Sequence, residues 1–67
     1  MIQNEAQLRQ ALEQIQNLCS AIDSLRIEVF SKNSRNFAIL AEGPLNQIRQ
    51  FQARVDQYVR QLEATPA

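Results

Sequence analysis

The sequence predicts an all-α fold: a helical hairpin of a long helix, a short helical turn and a second long helix, which dimerises into a four-helix bundle. Two segments, 4–30 and 44–64, carry apolar residues at alternating spacings of three and four, the period of a helix with one apolar face. A polar run at 31–36 separates them. With 67 residues the chain forms one domain, 1–67, and we expect it to need a second copy to enlarge its core.

The first helix is predicted from Asn4 to Phe30. Asn4 is a good N-cap residue, and Gln7 follows at the position where a capping box places Glu or Gln. The apolar residues of this helix form a stripe wide enough for two interlocking seams, which indicates more than one partner helix. They are Leu8, Ala11, Leu12, Ile15, Leu18, Cys19, Ile22, Leu25 and Val29.

The end of this helix has an alternative interpretation. Leu25, Ile27 and Val29 alternate with charged residues in the period of a strand, and residues 36–41 could form the partner strand of a hairpin. We favour the helix, because the heptad spacing continues through Val29 without a break.

After the polar turn we expect a short second helix over about 34–41, capped by Asn33 or Ser34. Gly43 and Pro44 then interrupt the chain, and Pro44 fits the first turn of the last helix. The alternative is one continuous helix with a kink at Pro44.

The last helix is predicted over about 44–64, with an outer Asp56–Arg60 pair at i,i+4 spacing and a frayed end at 65–67. Its apolar residues again form one stripe. They are Leu45, Ile48, Phe51, Val55, Tyr58, Val59 and Leu62.

A single hairpin covers only one side of the first helix, so either the Ala11 and Leu18 side or the Leu12 and Cys19 side would face solvent. We therefore expect a homodimer that closes both seams, with helices crossing at about 20°. The expected dimer core consists of Leu8, Leu12, Ile15, Leu18, Ile22, Leu25, Val29, Ile48, Phe51, Val55, Tyr58 and Leu62.

The residues that carry chemistry are few. The chain has no histidine and one cysteine, Cys19, so an internal disulfide and the usual Cys/His zinc sites are excluded. Cys19 lies on the apolar stripe and is expected to be a small buried core residue. Single acidic residues are scattered, and one glycine cannot build a phosphate-binding loop. We expect no catalytic, cofactor or metal site, and interpret the chain as a non-enzymatic module for dimerisation or protein–protein interaction.

Net charge and hydropathy limit the classes of partner that this chain can bind. Seven basic and seven acidic side chains cancel, and the basic ones are interleaved with acids. The helices are also too long for a compact helix-turn-helix unit, so we do not expect direct binding to nucleic acid. No window has the roughly 20 consecutive apolar residues of a membrane span. We expect a cytoplasmic protein without a membrane segment and with a protein partner that the sequence does not name.

One resemblance adds to this interpretation. The opening Met1-Ile2-Gln3-Asn4-Glu5, the following Ala11-Leu12 and 15–18, and Val55, Asp56 and Tyr58 in the second helix resemble the helical hairpin before the DNA-reading domain of some Xre-like antitoxins. The resemblance implies a pairing or regulatory module of a bacterial antitoxin-like protein. An antitoxin-like, DNA-associated transcriptional regulator is the alternative function. No helix-turn-helix follows within these residues, so no DNA-binding residue is assigned.

Overall fold

The computed structural model describes residues 2–64 and consists of two antiparallel helices joined by a short turn. Helix α1 spans Glu5–Leu25 and continues into a π-helical turn, Arg26–Phe30. Helix α2 spans Ser34–Ala64. The described residues contain no strand, so the helical interpretation of residues 25–30 is confirmed and the strand alternative is wrong. The expected frayed end at 65–67 lies outside the described residues.

The Asn4 cap of α1 forms as its sequence predicts, whereas Gln7 bonds one residue earlier than in a capping box. The Asn4 side-chain oxygen accepts a hydrogen bond from the backbone N–H of Gln7 at 2.9 Å. The Gln7 side chain reaches back and accepts from the N–H of Gln3 at 2.7 Å. These two bonds satisfy backbone donors that have no partner within the helix. The chain before the cap folds onto the hairpin, because Ile2 is buried.

The turn between the helices is closed by backbone and cap hydrogen bonds. The Val29 carbonyl accepts from the N–H groups of Lys32 and Asn33, at 3.0 and 2.8 Å. The Asn33 side chain then accepts from the N–H of Asn36 at 3.1 Å and caps α2, as predicted. Across the turn the rings of Phe30 and Phe37 pack edge to face with centroids 5.3 Å apart. The chain therefore reverses within residues 31–33.

Helix α2 is continuous through Gly43 and Pro44. The predicted separate helix over 34–41, with Pro44 opening the last helix, is therefore wrong, and one continuous helix is observed. Pro44 cannot donate to the carbonyl of Leu40, but its ring is half-buried on the face that packs against α1. Gly43 has no Cβ to collide with the proline ring, which removes the usual obstacle to helical geometry before proline. Tertiary packing thus outweighs the local preference for a break.

The two helices pack through matching stripes of half-buried and buried side chains. On the α1 side, ending in the π-helical turn, the stripe is Leu8, Ala11, Ile15, Leu18, Ile22, Leu25 and Val29. On α2 it is Phe37, Ala41, Pro44, Ile48, Phe51, Val55 and Tyr58. Both alternate spacings of three and four, so Leu8 lies level with Tyr58 and Val29 with Phe37. The result is a rod with extents of 53 × 17 × 16 Å.

The core of this rod is thin. Among residues 2–64 the buried apolar side chains are Ile2, Ala11, Ala41 and Ile48, and none is less than 2% exposed. Two of these four are alanines, which contribute little apolar area. One hairpin therefore shields its inner stripes only in part.

Candidate functional site

One side of the hairpin carries apolar residues that the second helix does not cover. Leu12 is 46% exposed, Leu45 39% and Val59 40%, and Cys19 is exposed as well. Each of the four directly follows an inner-stripe residue that occupies the same heptad position. We call Leu12, Cys19, Leu45 and Val59 the lateral face.

These four residues lie on the same side of the hairpin for a geometric reason. An antiparallel helix pair has an approximate two-fold axis perpendicular to the plane that contains both helices. Equivalent heptad positions on the two helices therefore project to the same side of that plane. The lateral face is thus one surface, to which α1 and α2 contribute equally.

The opposite side of the hairpin is polar away from the turn, near which the exposed Leu40 lies on it. Residues that directly precede the inner stripe there include Gln7, Gln14, Gln47 and Arg54. An open cleft of about 500 Å³ on this side is lined by glutamines of α1 together with Phe51 and Arg54. The Arg54 guanidinium carbon lies 5.4 Å from the centre of the Phe51 ring, in cation–π geometry. The hairpin therefore has one lateral side suited to burial and one suited to water.

A second exposed apolar region lies at the turn. Ile27, Phe30, Ile39 and Leu40 are all exposed there. A shallow cleft beside them is lined by Arg26, Ile27, Phe30, Ser31 and Phe37. Ile27 and Ile39 project away from the helix pair, so this region does not extend the lateral face.

The structure separates the residues of the expected dimer core into two groups. All of them except Leu12 and Leu62 lie on the inner stripes, where they pack within one chain. Leu12 belongs to the lateral face. Leu62 continues the α2 stripe but is 54% exposed, because it lies level with Asn4, where α1 has not yet begun. Of the two seams predicted in the first helix, the one through Ala11 and Leu18 faces α2.

Cys19 departs from expectation. It is exposed in the hairpin, so the prediction of a buried core residue is wrong for a single chain. The reason is rotational: Cys19 follows Leu18 by one residue, and about 100° of rotation carries it off the inner stripe and onto the lateral face.

Some of the charged side chains form ion pairs at the surface. Arg26 and Asp23 are joined at 2.9 Å, and Arg60 and Asp56 at 3.1 Å, the latter as predicted. Within residues 2–64 no group of three or more His, Cys, Asp or Glu side chains could hold a metal ion. No helix in the same range is long and apolar enough to cross a membrane.

Ile2 and Pro44 pack against the hairpin but are not among the predicted core residues, although the sequence carries a signal for each. Ile2 precedes the N-cap by two residues, and an apolar residue just before a cap often packs back onto the helix. Pro44 lies seven residues after Phe37 and seven before Phe51, so the heptad alone places it on the α2 stripe.

Comparison of the chain with protein-family models, curated proteins and solved structures gives no match. The antitoxin resemblance therefore stays a prediction from the sequence, and the lateral face is the feature from which function is argued.

Proposed function

We propose that this chain is a non-enzymatic interaction module that dimerises into a four-helix bundle in the cytoplasm. The observation that carries the proposal is the lateral face, on which Leu12, Cys19, Leu45 and Val59 are exposed together. In a four-helix bundle each helix buries the positions beside its inner stripe as well as the stripe itself. A second hairpin laid over this face would supply that cover.

The surface area of the chain supports the proposal. The chain exposes 5353 Å², whereas a compact monomer of 7.7 kDa exposes about 4300 Å². The excess is therefore about 1000 Å². Each partner in a stable protein interface contributes about 800 Å². The hairpin thus exposes more surface than a compact monomer, partly because of its rod shape, and the excess is of the size that one partner buries in a standard interface.

The test is sedimentation equilibrium over about 1–200 μM, paired with thermal melts at the same concentrations. We expect a species of twice the 7.7 kDa chain mass and a melting temperature that rises with concentration, because only the folded state dimerises. Leu12→Glu should raise the dimer Kd by about a hundredfold or more. It removes apolar burial and introduces a charge, and it does so twice per dimer.

Asn17→Glu is the matched control. Asn17 is exposed on the outer face of α1, away from both α2 and the lateral face, so the same charge there should leave the Kd within about threefold. A monomer at every concentration, with a concentration-independent melt, would overturn the proposal. A Leu12→Glu protein that dimerises as tightly as the parent would also overturn it.

The antitoxin-like regulator is distinguished by a different measurement. Binding of duplex DNA that weakens steeply with salt would favour that alternative, because neutralised phosphates release counterions. Three of the hairpin's seven cations are engaged within residues 2–64, since Arg26 and Arg60 pair with carboxylates and Arg49 donates to the Asn46 side chain at 3.0 Å.

A further inference from the structure

We infer that the two copies pair through the lateral face in an antiparallel arrangement, with the turn of one hairpin beside the open end of the other. This inference rests on the dimer proposed above and specifies its symmetry. Two hairpins that meet through the same face can be related by a two-fold axis in only two simple ways. The axis runs either along the helices or across them.

The two axes bring different surfaces together. An axis along the helices places α1 against α2 of the partner subunit, with both turns at the same end. An axis across the helices places α1 against α1 and α2 against α2, with the turns at opposite ends. The side chains along the lateral face decide between them.

The lateral edge of α1 is complementary to the same edge of a second α1 that runs in the opposite direction. The residues at the lateral position are, in order, Glu5, Leu12, Cys19 and Arg26. A two-fold axis that passes between Ile15 and Gln16 brings Glu5 beside Arg26 of the partner subunit. The same axis brings Leu12 beside Cys19 of the partner subunit. An acid thus faces a base and an apolar residue faces an apolar residue.

The next row outward on α1 has the same property. It contains Arg9, Gln16 and Asp23, all exposed. Arg9 and Asp23 are centred on Gln16, half a residue from the same point, so Arg9 lies beside Asp23 of the partner subunit. Because Asp23 and Arg26 already pair within each chain, the two rows of α1 would join that pair to Arg9 and Glu5 of the partner subunit at both ends of the contact.

Helix α2 fits this axis less closely. Its lateral residues Leu45 and Val59 are equally spaced about Gln52. In the register in which Leu8 lies level with Tyr58, the point between Ile15 and Gln16 lies level with residues 50–51, so on one shared axis Leu45 and Val59 of the partner subunit are displaced by about 4.5 Å along the helices. In the next row Asp56 already pairs with Arg60 within the chain, and Glu42 and Glu63 add like charges at the rim. The axis is therefore argued from α1.

The other axis fits less well in its charges. With α1 against α2 of the partner subunit, Cys19 would face Leu45, whereas Leu12 would face Gln52 and Val59 would lie near Glu5. Asp23 would approach Glu42, although Arg9 would still find Asp56. That arrangement gains one charge pair for one repulsion, whereas α1 against itself brings two oppositely charged pairs together. The charges of α1 therefore favour the antiparallel arrangement.

The two arrangements differ most in the distance between turns, which electron–electron dipolar spectroscopy can measure. Ser31→Cys in a Cys19→Ala background places one nitroxide at the exposed turn. The distance from the axis to the turn is about 23 Å along α1, at about 1.5 Å per residue. Because the two turns lie on opposite sides of the axis, the two labels should be about 45 Å apart. An axis along the helices would bring them within about 25 Å.

A charge-reversal cycle on the unlabelled protein tests the same contact independently. Arg9 and Asp23 are two heptads apart, about 21 Å along one helix and beyond the screening length at physiological salt, so they do not interact within a chain. Arg9→Glu and Asp23→Lys should each weaken dimerisation by about three- to tenfold. The double variant should bind about tenfold more tightly than the product of the two single effects predicts.

The outcomes separate the two proposals. A dimeric mass with a distance near 25 Å, or with additive effects of the two reversals, would overturn the antiparallel arrangement and leave the dimer intact. A monomeric wild-type chain would overturn the dimer itself. A distance near 45 Å together with the coupling would establish both.

Discussion

Replacing Pro44 by alanine should stabilise the protein, although the proline is half-buried in the packed stripe. A proline inside a helix costs about 3 kcal/mol relative to alanine, through the lost N–H and the clash with the preceding turn. Truncating its ring removes two methylene groups, each worth about 0.8 kcal/mol when fully buried and about half of that here. The net expectation for Pro44→Ala is a gain of about 2 kcal/mol.

A second substitution, at Gly43, extends this prediction to a double-mutant cycle. A Cβ built on Gly43 meets no atom within 4 Å outside its chain neighbours and the backbone of its own helix, so Gly43→Ala creates no tertiary clash. In the presence of Pro44 the new methyl group would press on the proline ring, which offsets the gain of up to about 1 kcal/mol in helix propensity. In the Pro44→Ala background the full gain should appear. The two substitutions should therefore stabilise more together than the sum of their separate effects.

The assay is urea unfolding followed by circular dichroism at 222 nm, at one fixed protein concentration because dimerisation contributes to stability. Pro44→Ala should also raise the melting temperature by about 10 °C. Gln47→Ala, an exposed substitution one turn later, is the control and should change stability by a few tenths of a kcal/mol. A destabilised Pro44→Ala protein would refute the reasoning, since it would mean that Pro44 starts a helix rather than lying inside one.

Three further predictions concern single side chains. Cys19 should react quickly with a thiol reagent in dilute protein and more slowly as concentration rises, because it is exposed in one hairpin and covered in the dimer; one rate at all concentrations would contradict this. Asn4→Ala should lower the free energy of unfolding in urea by about 1 kcal/mol through loss of the N-cap, whereas Asn17→Ala should lower it by almost nothing. Equal losses would show that the cap does not stabilise the protein. Ile48→Ala should cost about 2–4 kcal/mol, since Ile48 is 8% exposed, and Leu62→Ala far less at 54% exposure; the reverse order in the same assay would show that the hairpin packs differently.

Where local chemistry and the apolar period agree, the sequence was sufficient to predict the fold. The cap at Asn4, the reversal after Phe30 and the cap at Asn33 each follow from residue types that have one dominant local use. The heptad also resolved the ambiguity over residues 25–30, because a stripe that continues without a break favours one helix over a change of structure.

Where local chemistry and packing disagree, the sequence was not sufficient. Gly43 and Pro44 favour a break, but residues on both sides of them belong to one stripe against α1, and packing along its whole length outweighs the local cost. The π-helical turn at Arg26–Phe30 has no signature in residue type or spacing.

The candidate site was predicted only in part. The width of the α1 stripe indicated that one side would be left exposed, and the spacing could not decide which. That choice depends on the rotation of α1 about its own axis when it packs on α2. The small Ala11 and Ala41 are the buried residues of the inner stripes near the two ends, and the larger Leu12 is left outside. The prediction that Cys19 lies in the core is wrong for a single hairpin because α2 covers only one of the two seams.

The rod shape of the hairpin, 53 × 17 × 16 Å, has a consequence for its heat capacity. Unfolding raises the heat capacity in proportion to the apolar surface that it newly exposes, about 0.9 kcal/mol/K for an average chain of this length. A rod in which no side chain of residues 2–64 is less than 2% exposed hides less such surface than a compact chain of the same length. Because the curvature of stability against temperature is proportional to the heat-capacity change, the stability of a lone hairpin should vary more nearly linearly with temperature. The second copy covers further apolar surface, so dimerisation should increase that curvature.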